Sequence, residues 1–257
     1  LERAADGTWS VGGIGAAASL ATEGWRVRMF EKNAHVGGKL NLLERDGFSF
    51  DLGPSILTMP QVFEELFSRA GKRFADYVEL QSPRPHWRNF FEDGSRIDLH
   101  PTAAETVAAS EGLGAEDERD LEGFLAYSRR LYETCEPSYF RLGLDGVWEM
   151  VRHHGVVPAV RSFDLIFSMD TGVGRHIRSR HLREVLDFFV KYVGSSAFDA
   201  PAVLNLLPHV QSAFGLWYVK GGLYRLALAL RRLLEELRVE LHLEAEVVEI
   251  LHQGDRV

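Results

Sequence analysis

Apolar and polar residues follow two different periods along this chain. In residues 40–52 they alternate on either side of an Asp-Gly pair at position 46, which predicts a β-hairpin. Residues 87–99 have the same form around an Asp-Gly pair at position 93 and predict a second hairpin. The pattern alternates again in 239–243 and 247–251, and we interpret both stretches as strands.

Elsewhere the apolar residues recur every three or four positions, which predicts helices. One helix begins with Pro60 in its first turn and ends near Gly71. Residues 101–214 are mostly helical by this criterion. A further helix follows Gly221 and Gly222, with leucines on one face and charged residues on the other.

The amino-terminal region has the order glycine turn, small-residue helix, strand and acid. Gly13 and Gly15 fit a G-x-G-x-x-A pattern, and Glu31 ends the strand 18 positions after Gly13. Such glycines let a diphosphate approach the backbone at a helix N-terminus, and such an acid accepts hydrogen bonds from ribose hydroxyls. A tight turn without a ligand and a solvated strand end are the alternatives.

A double glycine and a cation, Gly37-Gly38-Lys39, follow the acid closely. A plain nicotinamide-binding domain has no need of such a loop. A flavoprotein does, because the diphosphate and ribityl chain need access to the backbone and positive charge. An ordinary turn before the hairpin is the alternative.

Several segments together resemble the flavin amine-oxidase superfamily and, within it, the carotenoid (phytoene and diapophytoene) desaturases. They are 31–41, 47–60, 90–99, 214–224 and 241–247. The resemblance implies an α/β fold whose Rossmann-like FAD-binding domain, of the GR2/amine-oxidase type, is discontinuous and carries an inserted, mostly helical substrate domain. We therefore expect domains at 1–80 (FAD-binding, first part), 81–214 (substrate) and 215–257 (FAD-binding, returning part), with the carboxyl-terminal part of the flavin domain missing.

The same resemblance implies which residues hold FAD. Those implied at its diphosphate and ribityl chain are Gly12, Gly13, Gly15, Gly37, Gly38 and Lys39. Those implied beside its isoalloxazine ring are Gly53, Pro54, Ser55, Lys220, Gly221 and Gly222. Glu31, followed by Lys32, is implied at the adenosine ribose, and the backbone of Val247 at the adenine.

The activity implied by the resemblance is the introduction of C=C bonds into a long isoprenoid. Another flavin oxidase, isomerase or saturase of the superfamily is an alternative. A lipid-binding protein without flavin is a third reading, favoured because 6–10 is a poor strand and the spacing from glycine to acid is about three residues shorter than the family pattern. No residue is assigned a catalytic role.

Composition and charge limit the kinds of partner and the cellular compartment that we expect for this chain. The formal net charge of −8 argues against nucleic acid. A single cysteine, Cys135, excludes an internal disulfide and, with no visible signal peptide, favours the cytoplasm. Residues 147–169 could lie on the cytoplasmic membrane face as an entry for an apolar substrate, or form a buried core helix. We expect no metal site, since His153-His154 lacks the spacing of a ligand pair.

Overall fold

The computed structural model describes residues 11–140, 149, 152 and 164–251. The chain divides into two compact units, Leu1–Ser82 with Trp217–Val257, and Pro83–Leu216. Helices and strands occur in both units, so the fold is of mixed helix and strand content. The boundaries expected from the sequence, after residues 80 and 214, each lie two residues from the observed divisions.

The first unit contains a parallel pair of strands and two helices that pack against each other. Strand β1 (Arg28–Phe30) pairs with β8 (Glu240–His242), with Met29 opposite Leu241. Helix α1 (Val11–Thr22) packs against α8 (Tyr224–Glu236). Parallel strands cannot be joined by a tight turn, and this pairing brings together two stretches of chain that are far apart in sequence. The best-buried core residues are Ile14, Ala18, Met29, Val36, Phe67, Val219, Ala227, Leu230, Leu233 and Leu234.

Three further elements of this unit position the candidate site. Strands β2 (Leu42–Arg45) and β3 (Phe48–Asp51) form the predicted hairpin. Both turn residues have positive φ, 52° at Asp46 and 81° at Gly47, which is why an Asp-Gly pair is favoured there. Helix α2 (Pro60–Arg69) begins at its proline, as predicted. A short pair, β4 (Leu80–Gln81) with β7 (Tyr218–Val219), completes the unit.

The second unit is mostly helical, as predicted. Its hairpin joins β5 (Trp87–Phe90) to β6 (Arg96–Leu99). The helices are α3 (Ala103–Ala109), α4 (Ala115–Cys135), α5 (Met169–Gly174), α6 (Arg180–Asp187) and α7 (Leu207–Phe214). Helix α4 supplies much of the core, because Leu121, Phe124, Ser128, Leu131 and Cys135 lie on one face of it and are buried.

Two predictions about secondary structure are wrong. Residues 247–251 are irregular rather than a strand, and Val248 is 88% exposed. Alternation alone does not make a strand, because the backbone must also join a sheet, and the sheets formed by the described residues do not include this stretch. The glycines placed in a turn before the first helix lie within α1 instead.

The suggested membrane element at 147–169 lies mostly outside the described residues. No helix of the described ranges is both long and apolar enough to span a bilayer. Nor do the described residues contain a group of three or more His, Cys, Asp or Glu side chains able to hold a metal ion.

Candidate functional site

The glycines of the amino-terminal cluster differ in their surroundings. Gly13 is buried, whereas Gly12 is exposed. A Cβ atom added to Gly15 would meet no atom of the described structure within 4 Å. Glycine costs a helix about 1 kcal/mol relative to alanine, and packing within the described structure does not explain this cost at Gly15. A ligand that approaches the backbone closely is a reason that remains for Gly15.

Glu31 lies directly after β1 and is fully buried. Its Oε1 accepts hydrogen bonds from the backbone N–H of Asn33 at 2.9 Å and from Nδ2 of Asn33 at 2.8 Å. Its backbone continues the pairing with the chain beyond β8, because its carbonyl accepts from Ala245 N–H at 2.9 Å. A ribose hydroxyl therefore reaches this carboxylate only if the groups over it move aside. Lys32, the next residue, is exposed.

The Gly37-Gly38-Lys39 loop is a tight turn packed on α8. Gly37 has φ 119° and Gly38 has φ 59°, and Leu40 N–H donates to the Gly37 carbonyl at 3.0 Å. A Cβ on Gly37 would lie 3.0 Å from Cβ of Ala227 in α8. Glycine is needed here for backbone conformation and for close packing, while the Lys39 side chain stays exposed.

Gly53 lies against this loop. A Cβ on Gly53 would overlap the carbonyl oxygen of Lys39, so no other residue fits without a backbone shift. The contact is fixed by the end of the hairpin, where Leu52 N–H donates to the Asn41 carbonyl at 2.9 Å. Pro54 and Ser55 follow on exposed backbone.

Asp51 links the same hairpin to the start of α8. Its carboxylate accepts from the backbone N–H of Leu223 at 2.7 Å and of Tyr224 at 3.0 Å. Gly222, with φ 96°, lies so close that a Cβ there would be 2.8 Å from Asp51 Oδ2. Gly221 has φ 85°. Asp51 therefore caps α8 and holds the two glycines beside the hairpin.

Sequence reasoning did not assign Asp51 a role. The available signal was that α8 begins after two glycines without a Ser, Thr, Asp or Asn of its own at the cap. A missing local cap indicates that another segment provides one.

Lys220, expected near the flavin, interacts with Glu79. Its Nζ lies 3.0 Å from each carboxylate oxygen of Glu79, and its backbone N–H donates to the Glu79 carbonyl at 3.0 Å. Both side chains are more than half exposed, so the ion pair is a weak one.

The structure brings some of the predicted residues together. Gly37, Lys39, Gly53 and Gly222 lie around Asp51 and the start of α8. The ring of His35 also lies 6.4 Å from that of Tyr224, edge to face, which ties the loop to the same helix. Val247 is not part of this cluster as described and lies on irregular, exposed backbone.

Comparison with known proteins identifies the class. The model of the flavin containing amine oxidoreductase family matches residues 11–257, and the chain belongs to this family. The resemblance drawn from the sequence motifs is thereby confirmed. Membership implies a flavin cofactor and oxidation–reduction chemistry.

Two relatives carry more specific names. The 4,4'-diapolycopene oxygenase of Methylomonas sp is 52% identical over 246 residues, which are 96% of this chain and 50% of that protein. The 4,4'-diaponeurosporene oxygenase of Staphylococcus aureus strain Mu50 is 44% identical over 247 residues, again 96% of this chain and 50% of that protein. The chain thus spans about half the length of these curated relatives.

A solved structure of putrescine oxidase bound to putrescine has a related fold. It matches with a TM-score of 0.59 at 16% identity, covering 91% of this chain and 49% of that one. At this identity the likeness shows the fold alone.

Proposed function

We propose that this chain is the amino-terminal portion of an FAD-dependent oxidoreductase that oxygenates an acyclic carotenoid of the diapolycopene type. The supporting observation is the 52% identity, across nearly the whole chain, to an oxygenase of that substrate. The substrate is then a long, apolar isoprenoid.

The architecture proposed with it is a discontinuous, Rossmann-like flavin domain. The parallel pairing of β1 with β8 and the packing of α1 on α8 support it, because the two halves of such a domain meet in this way. The unit at 83–216 is the proposed substrate domain, inserted between the halves. Contact of the protein with a membrane face, through which an apolar substrate enters, belongs to the same proposal.

The residue types of the first unit suit the chemical groups of FAD. Gly12 and Gly15 leave the backbone of α1 open, which suits a diphosphate. Lys32 and Lys39 are exposed cations. Glu31 is an acid at the end of the strand, where a ribose is held in such folds. FAD, when bound, supplies the two-electron redox chemistry.

The chain's own contribution is to bind and orient. Asp51 fixes the start of α8, so that Gly221 and Gly222 keep their positions beside the hairpin. Pro54 and Ser55 leave the hairpin on the exposed side. These residues form the rigid backbone surface against which we place the isoalloxazine.

Desaturation of a related isoprenoid is the second candidate. The segment 47–60 favours it, since it resembles the desaturase branch. A flavin-free lipid carrier is the outcome if the protein binds polyenes but no FAD.

One pair of measurements tests the proposal. The purified chain is titrated with FAD, and binding is followed by quenching of flavin fluorescence. The full-length protein is then supplied with diapolycopene and with diapophytoene, and the products are analysed by mass spectrometry. We expect FAD binding and a product that has gained oxygen. A product that has only lost hydrogen supports the desaturase, and absence of FAD binding by both proteins contradicts the enzyme proposal.

A further inference from the structure

Lys191 lies in an aromatic cage in the second unit. It belongs to a short 3-10 helix, Phe188–Tyr192, that directly follows α6. Its Nζ lies 3.2 Å from the ring centroid of Trp87 and 4.2 Å from that of Phe188. The rings of Phe189 and Tyr192 complete the cage, at 5.6 Å and 5.4 Å. An ammonium over ring faces at these distances makes cation–π contacts.

The wall formed by Trp87 is held in place by hydrogen bonding. Its Nε1–H donates to Oε1 of Gln211 at 2.8 Å, and Gln211 is only 2% exposed. The Gln211 amide nitrogen lies 3.3 Å from Nδ1 of His86, which fixes the amide in turn. The Trp87 and Phe188 rings meet edge to face, with centroids 6.2 Å apart. The indole face toward Lys191 is therefore preorganised.

The amine itself lacks the partner that a buried lysine normally has. Within the described ranges, Nζ of Lys191 is buried and makes no hydrogen bond. Lysine usually extends its head group to water or pairs it with a carboxylate. Burial lowers the pKa of Lys191 to about 8, although the ring faces favour the ammonium and oppose this. At neutral pH, a larger fraction of Lys191 is therefore the neutral, reactive amine than for a lysine with the ordinary pKa.

The outer side of the cage is apolar and accessible. Phe188 is 51% exposed, Tyr192 37% and Val193 50%. Exposed side chains change rotamer within nanoseconds, so a ligand can reach the amine when Phe188 swings away. Flat rings stack on flat conjugated chains, which selects for a polyene over a saturated or polar ligand.

We propose that Lys191 and its cage of Trp87, Phe188, Phe189 and Tyr192 form a binding site for an apolar conjugated aldehyde, held as an imine. The Nζ lone pair attacks the carbonyl carbon, a C=N bond replaces the C=O bond, and the oxygen leaves as water. No electrons are transferred, so the site needs no flavin and does not depend on the proposed oxygenation. Every residue used belongs to the unit at 83–216.

Reductive trapping tests this site against the chain's other lysines. The flavin-free chain is incubated with all-trans-retinal and cyanoborohydride at pH 7.5, and modified lysines are located by peptide mass spectrometry. We expect Lys191 to be modified at least about tenfold faster than an exposed lysine such as Lys32 or Lys39, because the lower pKa leaves more neutral amine. The internal comparison removes differences between preparations.

Two controls separate the parts of the proposal. Lys191→Arg keeps the charge but forms no imine, and we expect it to lose only the Lys191 adduct while its circular dichroism is unchanged. Glycolaldehyde, a small polar aldehyde, gains from the lower pKa but not from stacking on the rings, so its preference for Lys191 should be clearly smaller than that of retinal. Equal rates for Lys191 and the exposed lysines with retinal overturn the site, even if the arginine variant fails to fold. An equal preference for Lys191 with glycolaldehyde overturns the assignment of an apolar ligand.

Discussion

The carboxylate of Asp51 is joined to the backbone N–H of Leu223 by a 2.7 Å hydrogen bond across 172 positions of sequence. Asp51 ends β3, and Leu223 immediately precedes α8. The bond therefore joins the two separate stretches of chain that build the first unit. A negative charge at a helix N-terminus also complements the helix dipole.

Removal of this cap should weaken the first unit. We expect Asp51→Ala to lower the free energy of unfolding by about 1–2 kcal/mol, because two backbone N–H groups of α8 lose their acceptor. Asp51→Asn keeps an acceptor oxygen and should show a smaller loss. Urea unfolding gives the free energies, and hydrogen exchange at the Leu223 and Tyr224 amides shows whether the change is local. The control is Glu64→Ala on the exposed side of α2, and an equal loss there contradicts the capping role.

Gly15→Ala should separate stability from cofactor binding. The new methyl group meets open space within α1, so the variant should be about 0.5–1 kcal/mol more stable to urea than the parent chain. If the FAD diphosphate lies against α1 at Gly15, the same methyl group obstructs the diphosphate. We expect the Kd for FAD to rise about tenfold, a loss of about 1.4 kcal/mol, in the fluorescence titration.

Gly123→Ala is the matched control for that experiment. Gly123 is also a helical glycine with open space around its Cβ position, but it lies in α4 of the second unit. It should give a similar gain in stability with an unchanged Kd for FAD. Should Gly15→Ala bind FAD as tightly as Gly123→Ala does, the glycines of α1 are not at the diphosphate.

Local chemistry made part of this fold predictable. The Asp-Gly pairs at 46 and 93 specify hairpin turns by themselves, and Pro60 specifies the start of α2. Family motifs added the Gly37-Gly38-Lys39 loop and Gly53. The close contact of Gly53 with Lys39 explains why that position is a glycine, which the motif alone did not.

The rest depends on partners that are far away in sequence. The free energies of a glycine in a helix and in a turn differ by only about 1 kcal/mol, so the packing of α1 on α8 can decide which of them forms. The local sequence pattern contains no information about that packing, and the prediction of a turn therefore failed. Asp51 and Leu223 meet only in three dimensions, as do Lys191 and Trp87. The prediction of a strand at 247–251 was wrong, because apolar alternation carries no information about a partner strand and this stretch is irregular.

Gly172 in α5 should not tolerate a side chain. A Cβ there would overlap Nδ2 of Asn205 and lie 3.1 Å from the Tyr127 hydroxyl and 3.3 Å from Cβ of Ala202. Asn205 is fully buried and donates to the Met169 carbonyl, so it has little room to move. We expect Gly172→Ala to lower the free energy of unfolding by about 1–3 kcal/mol.

Gly174→Ala, two residues along the same helix, is its control. A Cβ there would meet only the Arg183 side chain, at ordinary contact distances of 3.6 Å and 3.7 Å. Thermal unfolding of both variants compares them directly. If the two variants melt at the same temperature, small shifts of the neighbouring atoms relieve the crowding around Gly172, and position 172 does tolerate a side chain.

Asp187 should make the stability of the chain depend on pH. Burial raises the pKa of its carboxyl group to about 7, and the negative charge of Asp170 contributes to the rise. Asp187 is also the last residue of α6, where a helix disfavours negative charge. The folded chain therefore keeps a proton that the unfolded chain releases near pH 4. As the pH rises from about 4 to 7, this group reduces stability progressively, and above about pH 7 its effect is constant.

Asp187→Asn, which is neutral at every pH, isolates this effect. At pH 8 the variant should exceed the parent chain in unfolding free energy by about 1–2 kcal/mol, a figure that allows for solvent screening of the partly exposed carboxylate. Near pH 4 that advantage should disappear, because both side chains are then uncharged in the folded state. Asp170→Asn removes the like charge and should move the fall in stability to lower pH. Urea unfolding from pH 4 to 8 measures the free energy of unfolding of each protein. If Asp187→Asn and the parent chain differ by the same free energy across that range, Asp187 is already ionised in the folded state at pH 4, and its pKa is not raised.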